Sequence, residues 1–199
     1  MQDKLLKEIE DYAKKNDIPI MQKRGINFLC NYIKEHNVKT ILEIGTAIGY
    51  SAIKMALVDD EIIVTSIERD QERYLEAVKN IKKFNLEHRI GLVLGDALET
   101  NVKDKYDLVF IDAAKAQYIR FFNRYSLNLK ENGTIISDNM SFHGLTDDIS
   151  SIKNRNLRQL VTKIEKYKDF LKENNEFKTT FYKIGDGIAV SIKGDVKNE

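Results

Sequence analysis

The sequence predicts an α/β fold: a mostly parallel seven-stranded sheet that ends in an antiparallel hairpin, with helices on both faces. Three observations predict it. Short, continuously apolar, β-branched runs alternate with helical stretches between residues 40 and 138, the pattern of parallel strands covered on both sides. Several of these runs stop at a glycine or an acidic residue, and open α/β sheets bind their ligands at such strand ends. After one long helical stretch, two more strand-like runs flank Gly185-Asp186-Gly187, a hairpin signal.

The elements follow in order. From Asp3 to Lys15, Leu5, Leu6, Ile9, Tyr12 and Ala13 share one helical face. Pro19 breaks the chain, and a second amphipathic helix places Ile26, Leu29, Cys30 and Ile33 on one side, so Cys30 reads as core and not as a nucleophile. Thr40 to Gly45 is the first strand and Tyr50 to Val58 a helix. Ile62 to Glu68 is a β-branched strand, and Gln71 to Phe84 a helix with Leu75, Val78 and Ile81 aligned. Ile90 to Leu94 and Tyr106 to Asp112 are strands, Tyr118 to Leu129 a helix, and Gly133 to Asp138 the fifth strand. A helix from Arg155 to Glu173 turns Leu157, Leu160, Val161, Ile164 and Leu171 inward, and Lys178 to Ile184 and Ile188 to Ile192 close the chain.

The 199 residues suit one domain with a substantial core. Within it, residues 1–37 are N-terminal helices, 38–139 a ligand-binding core, and 140–199 an insert on the substrate side followed by the long helix and the hairpin. The chain is 42% hydrophobic and 32% charged, with a net charge of +1, so any polyanionic partner must be met by a local patch. One cysteine excludes an internal disulfide and fits a reducing cytoplasm. The charged N-terminus does not read as a signal peptide, and no apolar run nears the ~20 residues of a membrane span. A cytoplasmic protein is expected, with neither a membrane nor DNA as partner.

Two regions carry chemistry. The first is Glu43-Ile44-Gly45-Thr46-Ala47-Ile48-Gly49-Tyr50-Ser51, where a strand enters a helix and glycines let backbone approach a ligand. Ala47 and Tyr50 stand where a dinucleotide site wants glycine. The spacing instead resembles the S-adenosylmethionine loop, with Glu43 beneath it near the ligand's ammonium group and Ser51 able to hold the ligand's carboxylate. Glu68, roughly 20 residues on, ends the next strand where a carboxylate grips ribose hydroxyls. Asp96 can take the adenine amino group, with Ala97 beside the ring; Asp96 reads equally as a helix cap.

The second region is Phe110-Ile111-Asp112, with Lys115 three residues on, and Ser137-Asp138-Asn139. Carboxylate and amide oxygens at neighbouring strand ends suit Mg²⁺. Asp138-Asn139 alone would read as an Asx-turn, and Lys115 alone as a solvated helix-start lysine. Beside a divalent cation the neutral amine of Lys115 is favoured, making it a candidate base, and the cation acidifies a bound hydroxyl. A substrate with two vicinal oxygens would chelate the cation and be oriented for attack. His143 reads as a loop residue more than a ligand.

On these motifs, together with Ile67-Glu68 and Gly95-Asp96-Ala97, the chain resembles the catechol O-methyltransferase-like family of Mg²⁺-dependent, S-adenosylmethionine-dependent enzymes, from Ile20 to Ile192. The resemblance implies the class I methyltransferase (Rossmann-like) fold. It implies Asp112, Asp138 and Asn139 as metal ligands and Lys115 as catalytic base. Met21, Glu43, Gly45, Ser51, Glu68, Asp96, Ala97 and Asp112 would form the cofactor-binding set. A homodimer is likewise implied.

Within the family the chain looks most like the bacterial methyltransferases of 5-hydroxyuridine in tRNA. The carriers are Ile18-Pro19-Ile20-Met21, the stretch from Asn139 to Leu145, Arg155-Asn156-Leu157-Arg158, and Gly185 to Ser191. A 5-hydroxyl beside the O4 carbonyl is a vicinal oxygen pair, as in a catechol. The chain has no tryptophan, whereas small-molecule members often place aromatic residues, tryptophan included, around the phenol. A basic rim of Lys153, Arg155, Arg158 and Lys163, with Lys23 and Arg24, would meet the phosphates of a tRNA anticodon loop, although lysine and arginine on a helix usually face solvent. Phe142, Tyr118 or His143 could stack on a flipped base. A small-molecule catechol or caffeoyl-type O-methyltransferase is the alternative, and a non-catalytic S-adenosylmethionine-binding protein the third reading.

Overall fold

The computed structural model describes residues 2–141 and 152–194. Two helices, α1 (Gln2–Lys15) and α2 (Lys23–Glu35), precede the sheet. The alternating core then runs β1 (Thr40–Ile44), α3 (Tyr50–Ala56), β2 (Ile63–Glu68), α4 (Gln71–Lys83), β3 (Ile90–Leu94) and β4 (Tyr106–Ile111). A 3-10 turn over Lys115–Gln117 leads into α5 (Tyr118–Tyr125), and a second over Ser126–Asn128 into β5 (Leu129–Ser137). The chain closes with α6 (Arg155–Glu173), β6 (Phe177–Tyr182) and β7 (Ile188–Lys193).

The strands form one seven-stranded sheet in the order β3-β2-β1-β4-β5-β7-β6. The first five are mutually parallel, and β7 runs antiparallel to both β5 and β6. This is the class I methyltransferase arrangement. The order reverses between β1 and β4, so their carboxyl ends open the crevice in which such sheets bind ligands. Register sets which residues share that edge. Ile44 pairs with Ile67 and with Ile111, and Ile111 pairs with Ser137. The next residues along these strands, Gly45, Glu68, Asp112 and Asp138, therefore emerge side by side.

Side chains alternate across the sheet into two cores. On one face Ile41, Val64, Leu108, Phe110 and Ile136 pack against α1, α2, α3 and Ile81 of α4. On the other, Leu42, Ile44, Ile67, Val109, Ile111 and Ile135 pack against Tyr118, Phe122 and Tyr125 of α5 and Tyr167 and Leu171 of α6. Side-chain caps begin two of the helices: Asp70 accepts from the Arg73 amide at α4, and Asn154 from the Leu157 amide at α6.

Three expectations are revised. On α4, Leu75 and Val78 are 50% and 39% exposed, while Ala77, Asn80 and Ile81 are buried. The helix is rotated toward the Gly45–Gly49 loop because small Ala77 lets Gly49 approach, and Asn80 donates to the Ile48 carbonyl at 3.0 Å. The helix expected to reach Leu129 ends at Tyr125, and β5 begins at Leu129 and passes through an irregularity of register opposite Tyr106 and Leu108. On α6, Leu157 and Leu160 are only half-buried and Tyr167, with its hydroxyl on Ser137, takes a core position that an apolar count overlooks.

Candidate active site

A cavity of about 620 Å³ lies over the carboxyl ends of the strands, a size within the ~300–1,000 Å³ usual for small-molecule sites. Met21, Gly45, Ser51, Glu68, Asp96, Ala97, Asp112, Lys115, Asp138 and Asn139 all line it. The structure thus gathers the sequence-predicted residues from both motif regions into one space, except Glu43 and the two arginines of α6.

At the loop end, Gly45 has φ +102°, and a Cβ there would stand 2.2 Å from the Asp112 carbonyl oxygen, so only glycine lets β1 and β4 close over the crevice. Glu43 lies fully buried behind this loop and does not line the cavity. The hydroxyls of Ser51 and Ser66 both donate to its carboxyl, and Ser66 is joined in turn to Thr46. Burial pushes the Glu43 carboxyl up to about 7, against the pull of the two serine hydrogen bonds. Ser51 lines the cavity, but its hydroxyl proton is directed at Glu43.

Glu68 is held in place by backbone donors. Its carboxylate accepts from Ala47 N–H at 2.8 Å, Arg69 N–H at 3.0 Å and Asp70 N–H at 2.9 Å. A carboxylate offers about four lone-pair sites, so capacity remains on the cavity side. Asp96 accepts from Leu98 N–H at 2.8 Å, a tight turn after β3 and not a helix cap, and Tyr125 donates to the Ala97 carbonyl at 2.5 Å. Met21 is buried and walls the cavity from the segment before α2.

At the other end, Asn139 joins the two acids. Its amide donates to Asp112 at 3.0 Å and to Asp138 at 3.2 Å, from a left-handed backbone at φ +66°. Burial is the main cause that raises both carboxyls; repulsion from Asp112 adds to it at Asp138 and takes that group to about 8, while at Asp112 the nearby Lys115 charge and the Asn139 hydrogen bond act the other way. Among the described residues no three His, Cys, Asp or Glu side chains gather as a metal cluster; here the third group is an amide. Two carboxyls and an amide, once the amide is turned to present its oxygen in place of the NH2 that faces the acids, form a set of hard oxygen donors that fits Mg²⁺, and a divalent cation would relieve the repulsion between the acids. Behind them, the buried Tyr118 hydroxyl donates to the Asp138 carbonyl at 3.2 Å, and Tyr167 and Ser137 share a 2.7 Å hydrogen bond. Tyr118 is therefore a buttress of the strand end and is not open to stack on a base.

Asp186 is a residue that sequence reasoning missed. It lines the cavity, and its charge pushes both Asp112 and Asp138 upward. The Gly-Asp-Gly triplet was legible only as a hairpin turn; nothing local in it tells that the turn folds back onto the strand ends. Arg69, Arg73, Gln117 and Phe121 also line the cavity. Arg155 and Arg158 are exposed on the first turns of α6, outside the cavity lining, and α6 packs against the turn that carries Lys115. Lys23 pairs with Glu10 at 2.9 Å. Phe142 and His143 lie outside the described residues.

Comparison with known proteins agrees with this geometry. The family model described as O-methyltransferase matches residues 1–194. A caffeoyl-CoA O-methyltransferase of Medicago sativa is 28% identical over 203 residues, covering 93% of this chain and 80% of that protein. Among solved structures, a candidate caffeoyl-CoA O-methyltransferase from Staphylococcus aureus is 41% identical with a TM-score of 0.91, over 95% of this chain and 92% of that one. An O-methyltransferase from Bacillus cereus in complex with SAH, 23% identical, shares the fold at a TM-score of 0.82 over 96% and 91% of the two chains.

Proposed function

The chain belongs to the O-methyltransferase family, and from that premise we propose that it transfers the methyl group of S-adenosylmethionine to the 5-hydroxyl of 5-hydroxyuridine at the wobble position of tRNA, with Mg²⁺ bound. The observation that carries the reading is the cavity itself: a glycine loop with Glu68 and Asp96 at one end, and Asp112, Asp138, Asn139 and Lys115 at the other.

In this reading Glu68 takes the ribose hydroxyls, Asp96 the adenine amino group, and the Gly45 loop with Met21 and Ser51 the amino-acid end. Asp112, Asp138 and Asn139 would hold the cation, which supplies Lewis-acid polarisation that acidifies the acceptor hydroxyl. Lys115 in its unprotonated form takes the hydroxyl proton. The oxygen forms its bond to the methyl carbon as the carbon–sulfur bond breaks, and sulfur keeps that electron pair. The cavity walls hold acceptor and donor in line, and such orientation supplies much of the rate.

Support for a uridine acceptor comes from the vicinal O5 and O4 oxygens, from the absence of tryptophan, and from the exposed Arg155 and Arg158 on α6. The second reading is a small-molecule catechol O-methyltransferase, favoured by the caffeoyl-CoA names of relatives. Purified protein offered hydroxyuridine-containing tRNA and a catechol together, with products analysed by mass spectrometry, separates them. Methoxyuridine as the main product supports the tRNA reading; methylated catechol with unmodified tRNA overturns it.

A further inference from the structure

The residues that join α1 to α2 form a wall with open space on both sides. Pro19, Ile20, Met21 and Gln22 line the main cavity. The same four line a second hollow of about 370 Å³, whose far side includes Glu10 and Lys14 of α1. Backbone bonding holds this wall only at its ends: Ile18 N–H donates to the Ala13 carbonyl at 2.9 Å, and the Gln22 carbonyl accepts from Ile26 N–H at 2.9 Å. Among the described residues, the N–H groups of Ile20, Met21 and Gln22 donate to no backbone carbonyl. Met21 anchors the middle. It is 5% exposed and reaches over the start of α2 because residue 25 is glycine, where a Cβ would stand 3.0 Å from the Met21 methyl.

Glu10 ties this wall to the Gly45–Ser51 loop. Ile9 and Ala13 bury one face of α1, and the Glu10 side chain beside them is only 18% exposed. The Tyr50 hydroxyl donates to Glu10 at 3.0 Å, and the Lys23 ammonium pairs with it at 2.9 Å. Tyr50 stands between Gly49 and Ser51, and Lys23 directly follows Gln22. One carboxylate thus spans from the loop to the end of the wall. The Lys23 pair alone is worth little, since the lysine is 74% exposed. Tyr50 is 4% exposed, and its hydrogen bond to a charged acceptor is the stronger of the two.

Resting on the reading of this cavity as an S-adenosylmethionine site, we propose that Glu10 is a positioning residue for the cofactor: it latches the wall of residues 19–22 to the Gly45–Ser51 loop and so sets how tightly the cofactor is held. Glu10 does not line the main cavity; it acts through Tyr50 and Lys23. With the latch broken, the wall has the second hollow to move into, and Met21 moves with it.

The test uses the full chain as wild type, Glu10→Ala, Glu10→Gln, Tyr50→Phe, the Glu10→Ala/Tyr50→Phe double variant and Asp11→Asn. Asp11 lies on the same helix and pairs with Lys7, so it controls for a disturbed α1. Calorimetry reads S-adenosylhomocysteine binding, and steady-state kinetics read methyl transfer to whichever acceptor wild type methylates. Glu10→Ala is expected to weaken S-adenosylhomocysteine by about 10-fold, the size of one hydrogen bond to a charged group. It is expected to raise the KM for S-adenosylmethionine alike, with kcat and the acceptor KM unchanged, the mark of lost binding alone. Glu10→Gln keeps an acceptor for Tyr50 and is expected to fall between Glu10→Ala and wild type. The double variant is expected to be no weaker than Glu10→Ala, because both changes break one contact. Asp11→Asn is expected to match wild type. Wild-type affinity in both Glu10→Ala and Tyr50→Phe overturns the latch, as does a parallel loss of kcat and both KM values that follows a lowered melting temperature. Effects that add in the double variant overturn it too. Failure of wild type to bind S-adenosylhomocysteine overturns the cofactor reading and this inference with it.

Discussion

The carboxylates at and behind the cavity sit in different surroundings. Glu68 is fixed by three backbone N–H groups and lines the cavity. Glu43 is enclosed behind the loop, with burial lifting it from its ordinary 4.5 to about 7. A raised carboxyl favours the folded state below its unfolded value and loses that contribution as pH rises through the folded value. From about pH 4.5 to pH 7, Glu43 therefore progressively destabilises the cofactor-free protein. Glu43→Gln removes this titration, so its melting temperature is expected to gain on wild type across that window; a difference constant with pH contradicts the assignment. Asp138→Ala removes a hard oxygen donor from the far end of the cavity. It is expected to abolish methyl transfer while S-adenosylhomocysteine binding, measured by calorimetry, persists.

Much of the residue scale was legible in the sequence because strand ends are marked by composition. Asp112 and Asp138 follow apolar β-branched runs, and parallel register alone brings them level. Glu43 illustrates the opposite case. Its place one residue inside the strand was readable, but its hydrogen bonds to Ser51 and Ser66 depend on a partner 23 residues away. Asp186 was not readable at all, since its role depends on β7 pairing antiparallel with β5.

At the scale of elements, amphipathic spacing located the helices but not always their inward faces. Leu75 and Val78 satisfy the apolar stripe of α4, yet Ala77 and Asn80 are buried because contact with the Gly49 loop rewards small size and a hydrogen bond over apolar area. Tyr167 shows the same bias on α6, where a polar tip hides a core residue. The hairpin turn is hydrogen-bonded to the segment that follows Asn139, at residues 140 and 141. Gly187→Ala adds a Cβ against Ser141 at a backbone angle L residues rarely adopt. A loss of about 1–3 kcal/mol is expected, read as a lower denaturant midpoint, together with reduced methyl transfer because residues 140 and 141 follow Asn139.

On the scale of the whole molecule, a net charge of +1 gives no general attraction to nucleic acid. Binding of tRNA must then come from local contacts, and Arg155 and Arg158 at the start of α6 are the proposed ones. Replacing both by Glu is expected to weaken tRNA binding and to flatten its salt dependence by about one unit of slope per lost phosphate contact, with little change in methylation of the free nucleoside. An unchanged salt slope would remove α6 from the RNA surface. Among the described residues no helix is long and apolar enough to cross a membrane.

If Asp112, Asp138 and Asn139 hold a cation, methyl transfer in this cavity depends on it. This dependence is tested most directly by following transfer of a labelled methyl group from S-adenosylmethionine to 5-hydroxyuridine in Mg²⁺, in excess chelator, and after Mg²⁺ is restored. Loss of transfer in chelator and its return with Mg²⁺ are expected. Full transfer in excess chelator would contradict that dependence.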